Sequence, residues 1–189
     1  MPSYIPELIA RIKTVSAEAN KEFAGLDAKS LNWKPNAKSW SIAQCLDHLM
    51  TTNLLYFPIL TAAQNDQPPQ NIFSRLKLFS NFFGRMLRKQ LGAEVINKSK
   101  SPQSFQPSAS KLSEEIVSLF LEHQVELIRH FEALPEKDYG KMIMISPAAA
   151  FVTYSVEDAL FILTGHEERH LGQAKRVMQM PGFPTNLQQ

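Results

Sequence analysis

Two histidines one helical turn apart, in His166-Glu167-Glu168-Arg169-His170, are the residues best placed to do chemistry. Side chains four apart share one helix face, so both imidazoles can reach a single metal ion. The pentad is also a literal H-E-x-x-H, the zinc-protease signature in which the glutamate acts as general base. That alternative needs a third ligand, and LGQAKRVMQMPGFPTNLQQ after His170 holds no His, Asp or Glu. The extended protease form also needs a glycine three residues after the second histidine and a histidine three beyond it. Here Gly172 comes one residue early, and Gln173 and Arg176 occupy those two positions. The spacing alone also fits two exposed or packed histidines.

A third ligand must come from upstream, where His48, His123 and His130 stand. His48 shares its helix face with Gln44, Cys45 and Thr52, small or polar neighbours that suit an inward-pointing ligand. His123 lies on the stripe of Ile116, Phe120 and Leu127, and is expected to be partly buried with a hydrogen-bond partner rather than a ligand. His130 is expected at the helix surface. Glu167 sits about 100° around the helix from His166. A general base is one role for it, and a surface charge or supporting partner is the commoner one. Gln173, one turn past His170, either meets a ligand or packs as an amide. Asp47 could orient an imidazole, but an exposed carboxylate is expected. Cys45 is expected to be a small core residue.

Four long segments with helical periodicity must position these groups. The first spans Ser3 to Gly25, with Ile5, Leu8, Ile9, Ile12, Val15, Ala19 and Phe23 as its apolar stripe. The second opens at Ser41, with Gln44 as capping-box partner, and carries Ile42, Leu46, Leu49, Leu54 and Phe57 to about Ala63, past a potential kink at Pro58. The third runs from Ser110 to Leu134, with Leu112, Ile116, Leu119, Phe120, Leu127 and Phe131 as core candidates. The fourth opens at Ser155, with Asp158 three residues on, and ends at Met180 before Pro181-Gly182. Between the second and third lies an insertion, about residues 64–110. It comprises the breaker QNDQPPQ, an amphipathic helix NIFSRLKLFSNFFGRMLRKQL and a polar loop. In that helix Ile72, Leu76, Phe79, Phe83, Met86 and Leu91 form one face, ringed by Arg75, Lys77, Arg85, Arg88 and Lys89. Docking on the bundle or a dimer contact is expected for it; a basic amphipathic helix on an anionic membrane is the alternative. KMIMISPAAAFVTY, before the fourth segment, reads as a short strand or a loop. No strand alternation recurs elsewhere, so the fold class is all-α, with a four-helix bundle as the simplest packing.

The bulk numbers agree. The chain has 189 residues, which fits one domain able to bury a core without disulfides. Hydrophobic residues are 44% and charged residues 20%, as in soluble globules. The net charge of +2 gives no reason to expect a nucleic-acid partner. One cysteine cannot form an internal disulfide, and the N-terminus has no signal-peptide pattern, so a cytoplasmic location is expected. No apolar run is long enough to span a membrane.

Together, Trp33-x-Pro35, Trp40-Ser41-Ile42, Asp47-His48-Leu49, His166-x-x-x-His170-Leu171-Gly172-Gln173 and Gly182-Phe183-Pro184 resemble the DinB-like superfamily, also called DinB/YfiT-like, and within it the large second subgroup. The resemblance covers most of the chain. It implies a four-helix bundle with up-down-down-up topology in which His48, His166 and His170 bind a divalent metal ion, nickel or zinc. It further implies a small-molecule substrate, with low-molecular-weight thiol transfer as the activity of characterised relatives, and a homodimer. The insertion departs from the simplest members, and is expected to reshape the pocket or the oligomer interface. Three neutral imidazoles would leave an ion's charge uncompensated and at least one coordination position open, the arrangement of a catalytic rather than a structural site. Such a centre can deprotonate a bound thiol or lower the pKa of bound water to roughly 7. Thiol transfer and hydrolysis are therefore the candidate chemistries, and a non-catalytic metal-binding scaffold is the third reading.

Overall fold

A computed structural model describes residues 1–68, 71–75, 77–91 and 102–184. Helix α1 spans Ile5–Phe23, and all seven residues of its expected stripe are buried. A short helix α2, Ala28–Asn32, opens at Asp27, whose side chain accepts the Ser30 amide at 2.8 Å. Helix α3 spans Ile42–Gln64 and runs through Pro58. Its first turn is closed by the expected capping box: Ser41 Oγ accepts the Gln44 amide at 3.1 Å, and Gln44 Oε1 accepts the Ser41 amide at 3.3 Å. A 3-10 turn at Phe73–Arg75 precedes α4, Lys77–Leu91. Helix α5 covers Ile116–Glu132. It starts later than Ser110 because the Asn32 side chain holds Leu112 by both backbone groups, at 2.8 Å each. Ile116 N–H then turns back to the Ser113 carbonyl.

KMIMISPAAAFVTY resolves as an antiparallel hairpin of β1, Ile143–Ser146, and β2, Ala149–Ser155, with Met144 opposite Tyr154. The fold is mostly helical with one small two-stranded sheet, roughly consistent with the all-α expectation. Strand β2 runs directly into α6, Val156–Met178, whose N-cap Ser155 accepts the Asp158 amide at 3.0 Å.

Helix α1 packs on α5 and α6, and α3 packs on the same two helices from the other side. Their apolar faces form two core clusters. One gathers Ile5 to Ile12, Tyr56 to Ala63, Leu127 to Leu134 and Val156 to Leu163. The other gathers Val15 to Phe23, Ile42 to Leu49, Ile116 to Phe120 and Leu171 to Val177. Along α1 and α6 the first cluster precedes the second; along α3 and α5 the order reverses. Between the clusters lies a buried polar layer of His48, Thr52, Asn53, His123, Gln124, His166, Glu167 and His170. Leu54 and Leu119, expected in the core, are 56% and 47% exposed. Asn53 and Tyr56 take the inward positions of α3 there, and Val117 and Phe120 those of α5.

The described part of the insertion docks on the fold. Helix α4 packs against β2 and α6. Arg88 lies over the Phe161 ring at 3.9 Å and pairs with Asp158 at 3.2 Å, and Ser80 bonds Thr153 at 2.8 Å. The approach is close enough that a Cβ on buried Gly84 would fall 2.2 Å from Asp158 Oδ2. Of the apolar face expected here, the side chains of Leu76, Phe79 and Leu91 lie outside the described residues, as do those of Arg75 and Lys77. Among the described residues no helix is long and apolar enough to cross a membrane.

The capping box makes a direct prediction. Ser41→Ala should lower the unfolding free energy by about 1 kcal/mol, and Ser41→Gly by only a few tenths, as read from urea midpoints at constant slope.

Candidate metal centre

Gln44, Asp47 and His48 lie on one face of α3, and all three grip the returning end of the insertion. Gln44 Nε2 donates to the Ala109 carbonyl at 3.2 Å. Asp47 accepts the Ser108 amide, and its other oxygen accepts the Ser108 hydroxyl at 2.9 Å. His48 Nδ1 donates to the Phe105 carbonyl. That last bond fixes the ring: with its proton on Nδ1, His48 presents the lone pair of Nε2 to the interior.

His166 and His170 of α6 complete the group. The His48 Nε2 to His166 Nε2 distance is 3.1 Å, and the ring centroids lie 4.4, 4.5 and 4.9 Å apart. One ligand atom from each of the three lies within 4.8 Å of the others, and all three residues are buried. A divalent ion bound at ~2.0–2.1 Å by tetrahedrally disposed nitrogens needs them roughly 3.4 Å apart, so the donor set fits an ion. The electrostatics agree. Burial depresses the His48 pKa to about 4, against a smaller upward pull from the Phe105 carbonyl and Asp47. Burial also holds His166 and His170 well below their ordinary value, and the neighbouring imidazoles push the same way. The three rings are thus neutral near pH 7, the form that ligates metals.

Trp40 covers the group, with centroids 4.7 Å from His48 and 5.7 Å from His170. Gln173, one turn beyond, opposes the downward shift of the His170 pKa and lines the adjoining cavity. That cavity has a volume of about 700 Å³ and is walled by all three histidines, Trp40, Phe105, Tyr56 and Tyr154. The other motif residues meet nearby: Trp33 packs edge-on against Phe183, Ser30 Oγ donates to the Pro184 carbonyl at 3.1 Å, and Gly182 takes a φ of +85° beside the Trp33 ring.

A profile of the DinB superfamily matches residues 11–174. The chain belongs to the DinB superfamily. It is also similar to a protein of Bacillus subtilis (strain 168) named "Uncharacterized protein YuaE", at 25% identity over 167 residues, covering 86% of this chain and 91% of that one. No solved structure matches.

Within this DinB chain several expectations change. Asp47 is buried, not an exposed carboxylate; it acts on His48 through the loop both residues hold. Glu167 is neither a surface charge nor a wall of the cavity. It is fully buried and accepts Asn53 Nδ2 at 2.8 Å and Gln124 Nε2 at 2.9 Å, tying α6 to α3 and α5. Burial raises its pKa to about 7, with the two amides opposing. His123 is buried as expected and stacks on Phe57, but its Nε2 has no hydrogen-bond partner among the described residues. His130, expected at the surface, is half-buried against the same ring at 4.2 Å. Cys45 is fully buried, and burial pushes its thiol up to about 12. Sequence reasoning missed Asn53, Gln124 and Phe105. Asn53 and Gln124 carried a signal, as polar residues at inward-facing helical positions. Phe105 had none, because it acts through its backbone.

Asn53→Ala and Gln124→Ala each leave one buried Glu167 oxygen without its donor. Each should cost about 1–3 kcal/mol of stability by chemical denaturation. A change within a few tenths for both would show that the Glu167 network does not bind the helices together.

Proposed function

We propose that this protein is a metal-dependent enzyme that uses His48, His166 and His170 to hold a divalent ion, nickel or zinc, and transfers a low-molecular-weight thiol to a small-molecule electrophile. The observation that carries the reading is the convergence of three buried, neutral imidazoles from α3 and α6 at the wall of a cavity of about 700 Å³. When bound, the ion supplies the Lewis acidity that makes a thiol a thiolate near neutral pH. Three protein ligands beside a cavity favour an open site over a closed structural one.

The chain's own residues prepare that site. The Phe105 carbonyl holds the His48 proton on Nδ1 and keeps Nε2 bare. Trp40 and Phe105 keep water from the rings. Tyr56 and Tyr154, hydrogen-bonded through their hydroxyls, line the cavity with both phenols held neutral by burial. In the transfer, the thiol sulfur bonds to the electrophilic carbon, the thiol proton goes to solvent and the leaving group departs with its electron pair. Hydrolysis of the H-E-x-x-H kind is less well supported, because Glu167 faces Asn53 and Gln124, and among the described residues lining the cavity none is acidic.

The superfamily resemblance also supports a single domain in up-down-down-up order, and the alternation of the two core clusters along the helices agrees with it. A homodimer belongs to the same reading. Ile72, Phe82 and Phe151, 73%, 59% and 59% exposed, are apolar residues that a partner copy would cover. Nucleic acid and membrane form no part of it.

The test is metal analysis of the purified chain beside His48→Ala, His166→Ala and His170→Ala. The parent should retain about one equivalent after dialysis, and each variant should lose most of it. A thiol screen with a chromogenic electrophile should then show turnover that depends on added nickel or zinc. Unchanged metal content in all three folded variants would overturn the proposal.

A further inference from the structure

Helix α3 presents His48, Thr52 and Tyr56 to the cavity at four-residue intervals, so Thr52 and Tyr56 lie about 6 and 12 Å along the axis from His48. Thr52 is 4% exposed, and its Oγ1 has no hydrogen-bond partner among the described residues. A helical hydroxyl has a ready acceptor in the carbonyl four residues back. Thr14, Ser16 and Thr164 each use it, at 3.0 Å; Thr52 leaves that of His48 alone. One turn further along, the Tyr56 and Tyr154 hydroxyls meet at 2.5 Å. Two phenol protons share that one contact. If Tyr56 donates, the Tyr154 proton is left with Ser146 Oγ at 3.4 Å, longer than a good O–H···O bond. If Tyr154 donates, the Tyr56 proton has no partner among the described residues. Burial keeps both phenols protonated, so in either arrangement the pair has a donor to offer. The phenols share their apolar cluster with Leu87, Val152, Ile162 and Leu163, which also line the cavity. Such walls oppose a charged group but admit a neutral one that meets the donors.

We propose that Thr52 and the Tyr56–Tyr154 pair form a subsite that positions the substrate by a neutral carbonyl oxygen, which accepts hydrogen bonds from Thr52 Oγ1 and from the spare phenol proton. A carbonyl oxygen has two lone pairs and can take both donors. Buried donors left unmet are costly, and a carbonyl compound removes that cost where a hydrocarbon of the same shape cannot. The inference deepens the metal-centre reading and rests on it only for where reaction takes place, one to two turns of α3 away. The carbonyl subsite itself needs no ion.

The experiment is titration of the full chain, as purified and after chelator treatment, with acetophenone and with α-methylstyrene, in which a methylene of similar shape replaces the carbonyl oxygen. The ketone should bind about tenfold more tightly than the alkene in both metal states. The infrared carbonyl band of the bound ketone should lie below its position in hexane. Tyr56→Phe with Tyr154→Phe should abolish the preference and return the band toward the hexane position. Thr52→Val should reduce the preference severalfold, and Thr52→Ser should retain it. Because Thr52 Oγ1 has no partner to lose, Thr52→Val should leave the urea midpoint unchanged or raised, which separates its effect on binding from a folding defect. Equal binding of ketone and alkene, no ketone binding at millimolar concentration, or a preference that survives either hydroxyl-deleting variant would overturn the proposal. So would a preference that vanishes on chelation, since the ion would then be holding the oxygen. The histidine variants test the metal centre separately, so either reading can fail while the other stands.

Discussion

Burying three imidazoles whose ligand atoms lie within 4.8 Å of one another removes most of their hydration, and the fold must replace it. Burial drives all three pKa values down, and neighbouring imidazoles add to the effect at His166 and His170. Protein partners replace only part of the lost hydration. Phe105 takes the Nδ1 proton of His48, while Nδ1 of His166 and of His170 have no partner among the described residues. A shared cation would satisfy the inward lone pairs at once. It would convert an electrostatic liability between the two core clusters into a cross-link between α3 and α6.

Much of the remaining architecture serves that layer. The two apolar clusters sit on either side of it and supply the burial that stabilises the helices. Glu167, adjacent in sequence to His166 but turned to the other side of α6, is fixed by Asn53 and Gln124. That network joins three helices and sets the rotation of α6 about its axis, which aims His166 and His170 away from Glu167 and toward the cavity. On α3, the contacts of Gln44, Asp47 and His48 bring residues 105–109 across the site. The insertion therefore contributes a wall of the cavity and the acceptor that orients a candidate ligand.

The sequence carried the helices and the His166/His170 pair through periodicity, while His48 joined them through the family resemblance. The stripe of α1 matched at every position, and the capping residues Ser41 and Ser155 were legible from single spacings. Errors arose where a long-range contact overrode local pattern. Asn32 takes both backbone groups of Leu112 and delays α5. The drift of a 3.6-residue period leaves Leu54 and Leu119 outside. Glu167 and Asp47 were misjudged for one shared reason: a carboxylate is expected in water unless its partners are known. Those partners, Asn53, Gln124 and Ser108, lie 43 to 114 residues away. The hairpin was ambiguous because its apolar run fits strand or loop until pairing with its neighbour is seen.

The most direct test of the shared cation is X-ray absorption at the metal edge of the zinc-loaded protein, with the His48→Ala variant alongside. The account predicts three imidazole nitrogens at about 2.0–2.1 Å, falling to two in the variant. A parent spectrum with fewer than three imidazoles, or a variant spectrum unchanged from the parent, would contradict it.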